Sequence, residues 1–142
     1  MPGNVALYSN LPLPGSAYFA SLGWATQTFE SADDSSPSSK LVLEKAGLLA
    51  TINKMPSSQV EGHLAGFCRY IRSKPGEWAD LCGDISRVET VLGVIIEPDW
   101  DAEGEAEELV WSLAEELRAF LFARDSVFHY GGEALLGPAA AS

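Results

Sequence analysis

The 142-residue chain sets 20 Asp and Glu against nine Lys and Arg, a net charge of −11, with 46% hydrophobic residues. That length and apolar share suit one domain with a real core rather than a disordered chain. The charge argues against DNA, RNA or an anionic membrane as a direct partner, because their phosphates would be repelled, and favours a basic protein, a cation or plain solubility.

In chain order, Asn4 to Ser9 reads as a short strand closed by the Pro12 and Pro14 turn. Ser16 is placed to cap a brief helix through Tyr18, Phe19 and Leu22 to Trp24. Thr26 to Glu30 is extended, and the Ser- and Asp-rich segment at about 32–39 is a flexible surface loop too short to divide domains. Lys40 to Glu44 and Leu48 to Asn53 form a hairpin around Lys45-Ala46-Gly47. Ser58 with Glu61 fits a capping box, and Val60, Leu64, Phe67, Cys68 and Ile71 follow at helical spacing. After Lys74-Pro75-Gly76 a shorter helix carries Trp78, Leu81, Cys82 and Ile85 inward. Val88 to Ile96 is apolar on both parities and predicts a central strand covered on both faces. From Glu105 a helix of about five turns is expected, its stripe Leu109, Leu113, Leu117 and Phe120 with Val110 and Leu121 beside them. A last hairpin or bulged strand surrounds Gly131-Gly132, and residues 138–142 are a frayed tail. The fold class that follows is α+β: one domain, 1–142, with helices packed on a mixed or antiparallel sheet.

The stretch EPDWDAEGEAEELVW, residues 97–111, holds seven carboxylates between Glu97 and Glu108 and no cation. Asp99, Asp101, Glu103 and Gly104 fill the first positions of a calcium loop, but Val110 occupies the place of its bidentate Glu and a strand precedes it where a helix belongs. A carboxylate-pair hydrolase would need one acid in an apolar pocket, which a crowded polar segment does not supply. Acids at a helix start are in any case stabilised by its dipole, by roughly 0.3–1 kcal/mol each. His63 and Cys68 point about 140° apart on their helix, and no zinc spacing, nucleophile elbow or phosphate-binding glycine loop occurs. No catalytic residue, metal ligand or cofactor is therefore assigned, and Cys68 and Cys82 read as two buried thiols rather than a disulfide framework.

The charge is also polarised along the chain. From Val88 to Leu117 there are ten acids and no Lys or Arg, while seven of the nine cations lie between Lys40 and Arg87. Aromatic rings set among carboxylates give a partner both steering and an anchor. The predicted contact residues are Asp99, Trp100, Asp101, Glu103, Glu107, Glu108 and Trp111.

Leu48-Leu-Ala-Thr-Ile-Asn-Lys-Met-Pro, Glu89-Thr-Val-Leu-Gly-Val, the helix through Leu117 and Val127-Phe-His-Tyr-Gly-Gly resemble, in that order, an uncharacterised family of bacterial cytoplasmic α+β domains. That resemblance covers the last two-thirds of the chain and implies no catalytic residues. By type, a small acidic domain without catalytic motifs is similar to bacterial toxin-immunity proteins, which implies a basic toxin or effector as partner. Type III secretion chaperones, the second reading, share the size and acidity, although they usually open with a helix; an enzyme or calcium-dependent module using the acidic loop at 97–108 is the third. With no basic region ahead of an apolar run and no stretch long enough to span a bilayer, the expected location is the cytoplasm, with neither nucleic acid nor membrane as partner.

Overall fold

The computed structural model describes residues 3–11, 14–30, 39–45, 47–97, 104–123 and 126–136. The elements in order are β1 (Gly3–Ser9), α1 (Ser16–Ser21), β2 (Ala25–Glu30), β3 (Ser39–Lys45), β4 (Leu48–Lys54), α2 (Ser57–Arg72), α3 (Ala79–Ser86), β5 (Thr90–Glu97), α4 (Glu105–Leu117), β6 (Phe120–Ala123), β7 (Ser126–Phe128) and β8 (Ala134–Leu136). The strands make one sheet in the order β2-β3-β4-β5-β1-β6-β7-β8. Every described pairing is antiparallel, which resolves the mixed-or-antiparallel alternative.

Two helical layers sandwich this sheet. On one face α1 and α4 close over Leu7, Leu41, Leu43, Ala50, Ile52, Val94 and Ile96. On the other, α2 and α3 cover Tyr8, Val91, Val127 and Leu136. The α2 stripe is the one its spacing predicts: Val60, Leu64, Phe67, Cys68 and Ile71 are all buried. The second layer reaches only half the sheet. In β4, Leu48, Ala50 and Ile52 face the first core, while Leu49 is 41% exposed and Asn53 is open to solvent. The reading of β5 as covered on both faces therefore holds only in part: Leu92, Val94 and Ile96 are enclosed, Gly93 and Ile95 half-buried.

Other boundaries differ from expectation for local reasons. Gly15 stands at the N-cap of α1 and Ser16 is its first helical residue. Pro56 is the N-cap of α2, so Ser58 lies inside the first turn and no capping box forms. Helix α4 ends at Leu117, because Arg118 turns left-handed at φ 48°, ψ 48°. The Arg118 and Ala119 amides close that end by bonding back to Ala114 and Glu115 carbonyls, a Schellman-type stop. Phe120, Leu121 and Phe122, expected on the helix, form β6 and pair with β1. Ser39, expected in the loop at about 32–39, is instead the first residue of β3; the rest of that loop and the tail at 138–142 lie outside the described residues.

Candidate functional site

At 13 residues α4 is too short to persist alone and is held by its apolar stripe. Ala106, Leu109, Val110, Leu113, Ala114 and Leu117 are buried, at about 1.5–3 kcal/mol for each large aliphatic side chain. Val110, the would-be calcium ligand position, is thus core. The opposite side of the helix presents Glu107, Glu108, Glu115 and Glu116 to solvent, with Trp111 and Ser112 at the margin.

Beside that margin lies the turn between β7 and β8. His129 N–H donates to the Glu133 carbonyl at 2.8 Å, and Gly132 N–H to that of His129 at 2.9 Å. The turn needs Gly132 at φ 98°, a conformation that side chains disfavour. Gly131 N–H donates to His129 Nδ1 at 3.1 Å, so the neutral ring carries its proton on Nε2. Tyr130 is held half-buried next to it, its ring 4.1 Å from that of His129.

Helix and turn enclose a groove of about 700 Å³ lined by Gly104, Glu107, Glu108, Trp111, Ser112, Glu115, Tyr130, Gly131 and Gly132. Trp111 stands edge-on to Phe128, centroids 5.6 Å apart at 88°, which fixes its ring at the groove wall. A second depression, about 660 Å³, shares Ser112 and Glu115 and extends the surface to Glu116, Arg118 and Leu11, itself 41% exposed. Three carboxylates thus surround two half-buried rings, with one exposed aliphatic beyond them.

Of the predicted contact residues, Glu107, Glu108 and Trp111 are brought together in the groove. Asp99, Trp100, Asp101 and Glu103 lie outside the described residues. Sequence reading missed Glu115, Tyr130 and Leu11 as site residues. Glu115 was detectable, since it falls one helical turn after Trp111 and on the same side. Tyr130 comes from a different strand pair, and no local spacing connects it to α4.

Among the described residues no three His, Cys, Asp or Glu side chains are grouped to hold a metal ion. No helix among them is long and apolar enough to cross a membrane. Comparison with protein-family models, curated proteins and solved structures finds no match.

Proposed function

We propose that this chain is a non-enzymatic binding protein, an immunity-type inhibitor that neutralises a bacterial toxin or secreted effector through its acidic surface. The observation behind this reading is the convergence of Glu107, Glu108 and Glu115 on Trp111 and Tyr130 in one groove. Carboxylates at the rim accelerate encounter with a basic partner, and a ring desolvated on contact supplies an anchor. A toxin that acts on a negatively charged substrate carries the cations that such a groove would neutralise.

The test is to capture the partner from the native cell and express it alone and together with this chain. The partner is expected to be toxic alone and tolerated in the pair, with protection lost when Glu107, Glu108 and Glu115 are all changed to Lys. A captured partner that is harmless alone overturns the reading.

The half-uncovered sheet, with Leu49 exposed, favours a second reading as a secretion chaperone that holds an effector partly unfolded. Such chaperones work as dimers, so a monomer in light scattering counts against it.

A further inference from the structure

On the opposite face of the sheet a second groove carries three cations beside two acids. This groove, of about 1040 Å³, runs between α2 and α3 to the adjoining ends of β4 and β5. Buried Val60, Leu64 and Val88 make its floor apolar. The two thiols complete it: Cys68 Sγ lies 3.6 Å from the Cys82 carbonyl oxygen and Cys82 Sγ 3.8 Å from that of Cys68.

Lys54, Arg69 and Arg72 stand on the rim, and none of them is ion-paired among the described residues. Glu61 and Glu89 also stand there, leaving a local excess of one positive charge (three minus two) in a chain of −11. The charges are not evenly spread. Along α2, Glu61 lies eight residues, about 12 Å, from Arg69 and eleven, about 16 Å, from Arg72. Arg69 and Arg72, three residues apart, share one side of its last turn. Two like charges at that spacing repel, and the helix C-terminus offsets the repulsion. The dipole accounts for arginines at this end; it does not account for Lys54 or for an apolar floor leading up to them.

The acidic α4 lies across the sheet, one helix layer and one strand layer away.

We infer that this groove binds a small amphiphilic anion, a carboxylate on an aliphatic chain. The two guanidinium forks take the carboxylate, for which their planar donors are matched. The chain lies over Leu64, Val60 and Val88, where each added methylene buried strengthens binding.

The test is a methyl-detected NMR titration of the labelled full chain with octanoate and dodecanoate, beside octanol and inorganic phosphate. Both carboxylates are expected to shift the Val60, Leu64 and Val88 methyls saturably, dodecanoate at lower concentration. Octanol should bind at least tenfold more weakly than octanoate, and phosphate should leave those methyls unmoved. The double variant R69A/R72A, changed only at exposed positions, should keep the fold's spectrum and lose at least tenfold in carboxylate affinity. Carboxylates without effect at millimolar concentration, octanol as effective as octanoate, or unchanged binding by R69A/R72A would each overturn the assignment.

Discussion

Lys45 Nζ lies 2.7 Å from Glu105 Oε2 and also donates to the Leu22 carbonyl at 3.0 Å. One ammonium thereby joins the turn after α1, the end of β3 and the first residue of α4. Glu105 Oε2 is shielded from solvent, so Lys45 is the group that neutralises it. The room comes from Gly23 at φ 87°, where a Cβ would stand 3.2 Å from Lys45 Cε and Nζ. Of the three acids in the first turn of α4, one is therefore committed within the molecule, and Glu107 and Glu108 face outward.

Replacing Lys45 with Met should lower the melting temperature and loosen the start of α4. The hydrogen bond that Lys45 donates to the Glu105 carboxylate is the main influence holding its ammonium above the ordinary value of 10.5. A raised value means the stabilisation is complete below pH 10.5 and fades as pH climbs further. Alkaline melting curves should show that increment in the wild type and not in the variant. Identical curves would remove Lys45 from the account.

Two of the four tyrosines should ionise late. Burial pushes Tyr8 up to about 12, and burial with Glu116 and Glu115 nearby pushes Tyr18 to about 12. Phenols raised in the fold stabilise it below pH 10 and cease to do so as pH rises toward 12. Ultraviolet titration should find these two phenolates appearing only as the protein unfolds. Complete ionisation near pH 10 with the fold intact is the contrary result.

Ser9 Oγ donates to the Leu117 carbonyl at 2.6 Å and accepts from the Leu11 amide at 2.9 Å. It supplies one of the partners that the end of α4 lacks. Ser9 is 2% exposed, so Ser9→Ala should cost about 1–3 kcal/mol, read from the denaturant midpoint at constant slope.

Arg118 holds a left-handed conformation that a side chain resists. Arg118→Gly should raise stability by about 0.5–1 kcal/mol, the relief of that strain less the lost helix-end charge. A lower midpoint would show that the arginine side chain matters more than its backbone.

Changing Glu107, Glu108 and Glu115 to Lys should slow association with a basic partner by roughly 10-fold or more at low salt and flatten its salt dependence. Stopped-flow rates across ionic strengths decide this.

The elements were largely legible because their periods are local. Val60 to Ile71 repeats at helical spacing, and β4 alternates at every second residue. What was hidden depends on contacts between segments. Phe120 to Ala123 continues the helical pattern of Leu109 to Leu117 in sequence, and only Arg118 turning left-handed and β1 offering an edge make it a strand. The acidic half of the site was readable from composition on α4. Its Tyr130 wall, the Lys45 anchor and the meeting of Cys68 with Cys82 arise from packing that no single window contains.

The position of β1 has a kinetic consequence. Its partners are β5 and β6, so Gly3 must meet Ile96, and Ala6 must meet Gly93 on one side and Phe122 on the other. During synthesis the first strand emerges with both edges unpaired and waits until most of the chain has followed. Closing loops of that length precedes any reward from the central ladder, which predicts millisecond-to-second refolding rather than the speed of a helical bundle. Until then, Val5 and Leu7 stand on an open edge, and the nascent chain is at its most exposed to association with its own copies.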